Sequence, residues 1–259
     1  NCFKKKMKQI FTLLLFFGSI TYSFSQQLNN QQIESDLYNS YQKIWSYRYG
    51  GAMIEGDSLA IANNTFRNKI EKYTSTFPKT LTTKFETLRK RKNIFIVDSE
   101  DQLLRIYSWN TLLGGTKVDF GNVFQYKGDR KVYSRVTYNK PDFEEGVQIP
   151  FYSQIFTLRT SDKTYYLGIN NNIFSTRHAS QSIRIFTIEN NNLNDSVALI
   201  KTQNGFVNTI DFYFDFLNLA DRPEGPLRLI KYNSDQKIIS IPTLNSNGTL
   251  SNSFVRYKF

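Results

Sequence analysis

The chain has 259 residues, with 33 Lys and Arg against 22 Asp and Glu, a formal charge of +11. A single histidine, His178, excludes zinc sites built on two or three histidines. A single cysteine, Cys2, excludes an internal disulfide.

Lys4, Lys5, Lys6 and Lys8 precede the apolar run Ile10–Ile20, and Ser23-Phe24-Ser25 supplies small residues at positions −3 and −1 of a cleavage site. This pattern predicts a secretory signal peptide over residues 1–25, with translation starting at Met7. The apolar run is shorter than the ~20 residues of a membrane span, and no later stretch is long enough. The expected exported chain, residues 26–259, then has no cysteine and no transmembrane anchor. Its formal charge is 11 − 4 = +7. Residues 26–92 hold 11 cations and 6 anions, and residues 93–259 hold 18 and 16, so the basic character lies in the N-terminal segment. In the periplasm or outside the cell nucleic acid is not an expected partner. Lipopolysaccharide, acidic glycans and membrane surface are the anionic candidates.

Three helical patterns occupy residues 26–92. Ile33, Leu37, Tyr41, Ile44 and Trp45 recur at helical spacing up to Gly50-Gly51, which puts Trp45 in a helix core. Asp57 reads as the N-cap of a second helix bearing Leu59, Ala62, Phe66, Ile70 and Tyr73. A third starts near Pro78, aligns Leu81, Phe85 and Leu88, and closes with Arg89-Lys90-Arg91-Lys92. These four cations are either an anion-binding patch or the solvated end of a helix, where positive charge is favoured.

From Asn93 the period changes to two, beginning with Ile94–Val97. Leu103–Tyr138 reads as three strands joined by turns at Gly114-Gly115 and Gly128. A two-residue loop at Gly128-Asp129 would pair Phe124 with Tyr133, Asn122 with Arg135 and Val123 with Ser134. One face then carries Val123, Val132 and Val136. The other carries Phe120, Phe124, Tyr126 and Tyr133, with Lys131 and Arg135 among them. The second face is either a platform on which sugar rings stack, or a second core face whose basic side chains reach out to water. Trp109, ending a strand beside a loop, is a further stacking candidate.

After an Asn139–Asp142 turn, strands are predicted at Val147–Leu158, Thr164–Ile169, Ser182–Glu189, Ser196–Thr202, Phe206–Phe216, Leu227–Tyr232, Lys237–Ile241 and Phe254–Phe259, with turns at Asn170–Asn172 and Asn190–Asn192. The predicted class is α+β: a helical segment (26–92) packed on a large antiparallel β domain (93–259). About twelve strands would make only three propeller blades, so a sandwich or barrel is the expected form.

Catalytic motifs are sparse. His178 lacks a Gly-x-Ser-x-Gly nucleophile nearby, and Gly114-Gly115-Thr116-Lys117 lacks the first glycine of a phosphate loop. Asp211 and Asp215 share a strand face about 13 Å apart at ~3.3 Å per residue. That exceeds the roughly 5–9.5 Å of a glycosidase pair. Asp119 and the loop pair Glu144-Glu145 have no partner in sequence. No cofactor or metal is implied.

Phe24-Ser25-Gln26, the segment Arg105–Asn110 followed by Gly114-Gly115-Thr116, Ile230-Lys231-Tyr232, Ile239–Pro242 and Tyr257-Lys258-Phe259 resemble a group of uncharacterised secreted proteins of flavobacteria. The resemblance covers about the β-rich two-thirds and implies export. No activity belongs to that group, so no functional residue is carried over. The expected function is a non-enzymatic binding or accessory protein for glycan or another anionic envelope polymer. A carboxylate-dependent glycan hydrolase and a structural or partner-binding subunit are the alternatives. The candidate ligand residues are Trp109, Phe124, Tyr126, Tyr133 and Arg135, and the candidate anion site is Arg89, Lys90, Arg91 and Lys92.

Overall fold

The structure is a computed structural model that describes residues 28–50, 57–137, 148–218 and 226–259. The expected signal peptide, the Asn139–Asp142 turn and Glu144-Glu145 lie outside the described residues.

Helix α1 (Asn30–Tyr49) opens on a capping box, in which the side chains of Asn29 and Gln32 each accept from the other's backbone N–H. Helix α2 (Ser58–Thr76) follows Asp57, which occupies the cap position without a side-chain bond. Ile33, Leu37, Tyr41 and Ile44 of α1 and Ala62, Phe66, Ile70 and Tyr73 of α2 are buried in one cluster. Trp45, expected in that core, is instead 47% exposed and packs on the Tyr49 ring.

The expected third helix is broken. Pro78–Leu81 forms a 3-10 turn, and α3 (Glu86–Arg89) starts after Phe85, whose φ is 48°. A continuous helix would consume the carbonyls of Thr80 and Thr83 and the amide of Thr87. Here both carbonyls accept from the Arg105 guanidinium, and Thr87 N donates to Glu34 Oε1 at 2.6 Å. The break turns the Phe85 ring inward, edge-on to Tyr107.

Strands β1 (Ile94–Asp98), β2 (Leu104–Asn110), β3 (Phe120–Lys127) and β4 (Val132–Thr137) form an antiparallel meander in that order. The β3–β4 loop has four residues, 128–131, closed by Gly128 N donating to Lys131 O. Phe124 therefore pairs with Arg135 and Tyr126 with Tyr133, two residues away from the predicted register. A shift of two preserves side-chain parity, so both predicted faces survive it. Ile94, Ile96, Tyr107, Trp109 and Val123 meet the helices, while Leu104, Ile106, Phe124 and Tyr126 face the opposite way.

That opposite face packs on a second antiparallel sheet. It contains β5 (Phe151–Arg159), β6 (Thr164–Ile173), β7 (His178–Glu189) and β11 (Thr209–Asp215), in the order β11-β7-β6-β5, with β8 (Asn192–Asn194) also on β7. Tyr152, Ile155, Tyr166, Phe186 and Leu193 fill the interface. Asn170–Asn172, expected as a turn, continues β6. Asn171 is held inside the ladder by Gln181 and Ser153. The far face of the second sheet, with Leu167, Ile169, Ile183 and Ile185, packs against Ile239 and Ile241. Those two belong to a third sheet, β12 (Lys231–Asn233), β13 (Ile238–Leu244) and β14 (Leu250–Lys258). Strands β9 (Ile200–Thr202) and β10 (Gly205–Val207) make a separate hairpin. The fold is α+β, a helical layer on stacked antiparallel sheets, and no sheet closes into a barrel among the described residues.

Candidate functional site

The sequence-derived stacking residues lie in the core. Trp109 is 0% exposed; it donates Nε1–H to Asn63 Oδ1 at 3.3 Å and meets Phe66 edge-on at 5.2 Å. Strand parity turns it toward the helices, so no ligand reaches its ring. Phe124 and Tyr126 are 3% and 6% exposed, and their face is the interface between the first two sheets. Tyr133 is half-buried and stacks on Tyr126 at 5.7 Å. Arg135 lies over Phe124 and is committed to Leu193 O and Asp195. Phe124, Tyr126, Tyr133 and Arg135 come together at a packed sheet interface and Trp109 lies in the core under the helices, a correction to the platform reading.

The basic quartet has a different setting. Arg89, Lys90, Arg91 and Lys92 connect α3 to β1, and all four line a cleft of about 490 Å³ where one end of the helical layer meets the first two sheets. The floor is a phenyl triad. Phe95 stacks on Phe151 at 4.2 Å, and Phe120 tilts against them at 6.1 and 4.8 Å. Long-range pairing builds this triad from β1, β3 and β5. Ile173 of β6, Phe214 of β11, Phe216 and Leu227 supply further apolar lining, and Asn171, Asn172 and Ser180 supply polar groups.

The cations are not equivalent. Arg89 is taken up by Asp98 and by the carbonyls of Lys84 and Ile96. Arg91 lies over the Tyr38 ring at 4.5 Å and donates to the Tyr38 hydroxyl at 2.7 Å, which fixes its guanidinium, yet its buried Nε has no hydrogen-bond partner. The buried Oδ1 of Asn172 is likewise unpartnered. Lys90 and Lys92 are exposed and form no ion pair with a described carboxylate. No Asp, Glu, His or Cys is among the described residues lining the cleft.

Acidic candidates are occupied elsewhere. Ser182 Oγ donates to Asp211 at 2.5 Å, and Arg177 donates twice to Asp215. The Arg177 hydrogen bonds hold the Asp215 carboxyl below its ordinary range, the wrong direction for a proton-donating acid. Asp119 Oδ1 accepts from Ile149 N, which ties the β3 approach to the start of β5. His178 is exposed at the start of β7, with Nδ1 3.3 Å from Ser175 Oγ. No cluster of three metal-binding side chains occurs among the described residues, and none of their helices is long and apolar enough to cross a membrane.

A second cleft, of about 530 Å³, sits at the other end of β3 and β6, lined by the Gly128 and Asn190-Asn191 turns. Its Lys163 and Glu189 neutralise each other at 3.2 Å, so it offers no net charge from that pair. The quartet was visible in sequence as a charge run, but Phe95 and Phe151 carried no signal beyond strand periodicity. Comparison with known proteins finds no matching family model, curated protein or solved structure.

Proposed function

We propose that this is an exported, non-enzymatic binding or accessory protein of the cell envelope whose ligand is a glycan or another anionic envelope polymer or component. The observation that carries this reading is the cleft of about 490 Å³ with the Arg89–Lys92 wall, where Lys90 and Lys92 are exposed and form no ion pair with a described carboxylate. Its volume falls in the ~300–1,000 Å³ range of small-ligand sites. Four cations from one segment attract an anion at long range, and the fixed Arg91 offers a positioned donor. Among the described lining residues there is no Asp or Glu, whereas the alternative of a glycan hydrolase needs a converging carboxylate pair.

The test is calorimetric titration of the purified protein with polygalacturonate and with neutral dextran at low and high salt. Polygalacturonate should bind, weaken with salt, and lose at least about tenfold in affinity in the Lys90→Glu/Lys92→Glu variant, as expected for removing partly screened charge pairs. Equal binding of dextran, or indifference to the double substitution, overturns the assignment.

A further inference from the structure

Resting on that reading, we infer that the cleft takes an anionic amphiphile: one carboxylate or phosphate head group at the Arg91–Lys92 lip, and an apolar body on the phenyl floor. Three observations lead there.

The first is the floor. Phe95 stacks on Phe151, Phe120 is tilted against both, and Ile173 packs on the same cluster. A sugar bound by stacking needs an open ring face flanked by hydrogen-bonding groups. Here Phe120 and Phe151 are buried beneath in a small core cluster, and the surface open to the cleft, from half-buried Phe95, Val118 and Ile173, is hydrocarbon. Such a surface gains from covering by acyl or aryl groups and gains little from hydroxyls, which lose water there without a partner.

The second is size. At ~30 Å³ for each water-sized group, about 490 Å³ holds roughly sixteen such groups. That suits a short acyl chain with its head group.

The third is the head-group position. Tyr38 fixes the Arg91 guanidinium at the lip, next to Lys92, which is exposed and forms no ion pair with a described carboxylate. A charged ligand oxygen is the partner that this ammonium lacks, and charge-assisted bonds of this kind are the stronger ones. Carboxylate and phosphate share that chemistry.

The experiment measures displacement of 1-anilinonaphthalene-8-sulfonate from the purified protein by laurate, dodecyl phosphate, dodecanol and polygalacturonate. Laurate or dodecyl phosphate should displace the dye, with dodecanol at least tenfold weaker. Which of the two anions binds better distinguishes a fatty acid from a phospholipid-like source, and either preference supports the inference. Lys90→Glu/Lys92→Glu should weaken the anions tenfold and leave dodecanol unchanged. Leu227→Trp, at a half-buried position on the cleft wall, should block all three chain ligands in a protein that still melts cooperatively. Dodecanol binding as tightly as laurate overturns the head-group assignment, and laurate binding indifferent to Leu227→Trp overturns the site. Polygalacturonate binding without any chain ligand overturns the amphiphile and leaves the broader reading standing. Binding of neither overturns both.

Discussion

Trp109 and Gly121 face each other across β2 and β3, and the pair explains why that indole can be wholly buried. A Cβ on Gly121 would lie 2.2 Å from Trp109 Cζ2, inside any real contact distance. Gly121→Ala should therefore push the ring toward Asn63 and Phe66 and cost about 1–3 kcal/mol, the usual range for overpacking a core. A urea midpoint lowered without a change in m would check it. Arg105 makes a comparable commitment. It is 3% exposed, pairs with Asp98, and donates to the carbonyls freed by the broken helix. A charge buried this deeply is tolerated because Nε has the Asp98 carboxylate and Nη1 has two backbone carbonyls as acceptors.

At the scale of elements, buried amides bind the layers together. Gln125 donates to Thr74 O and Thr80 Oγ1 and accepts from the Tyr107 hydroxyl, fastening the end of α2 to the first sheet. Gln181 does the same at the cleft. It donates to Asn171 Oδ1 and Leu227 O, and accepts from Leu229 N and Ile230 N. It is 0% exposed and positions the Leu227 wall. Gln181→Leu keeps the bulk but strands two backbone N–H groups, at a cost of about 1–3 kcal/mol for each one left without a partner. Faster hydrogen exchange at residues 229 and 230, together with weaker ligand binding, is the expected result. Unchanged exchange there would remove Gln181 from its positioning role.

For the whole molecule, the stacked layers leave several phenols away from water. Burial pushes Tyr107 and Tyr152 up to about 12, with the neighbouring Arg105 and Arg184 charges pulling weakly the other way. The folded state thus holds these protons above pH 10, where the unfolded chain releases them. Their contribution to stability is whole below pH 10 and is lost as pH rises from 10 through about 12. Each group contributes a slope of about 1.4 kcal/mol per pH unit inside that window. Melting temperature should be flat toward pH 9 and fall steeply beyond 10, and Tyr107→Phe should make the fall shallower. Acid acts through another part of the fold. Burial alone would raise Asp36, but bonds from Lys69 and Tyr73 outweigh it and hold the carboxyl below 3.8, so the α1–α2 contact weakens only as pH falls below that value.

The α+β class, the helices at 30–49 and 58–76, and the two faces of the central hairpin were legible in residue order alone. Their physical causes are local: capping at Asn29, apolar spacing of 3.6 or 2, and glycine at the turns. Parity survived even where the loop length was misjudged, because Gly128–Lys131 added two residues and not one. What the local pattern left open was which face meets which layer. Whether an aromatic face binds a ligand or becomes a core depends on what folds back over it, and Tyr152, Tyr166 and Phe186 arrive from far along the chain. The same holds for the cleft. Its cations are contiguous and could be seen, but its floor exists only because β1, β3 and β5 converge on one spot. The broken third helix is of this kind too, since the carbonyls that Arg105 claims belong to a segment about 25 residues earlier. Sequence determined the elements and their polarity; tertiary packing decided which of those surfaces remained open, because burial is set by contacts between residues distant in the chain.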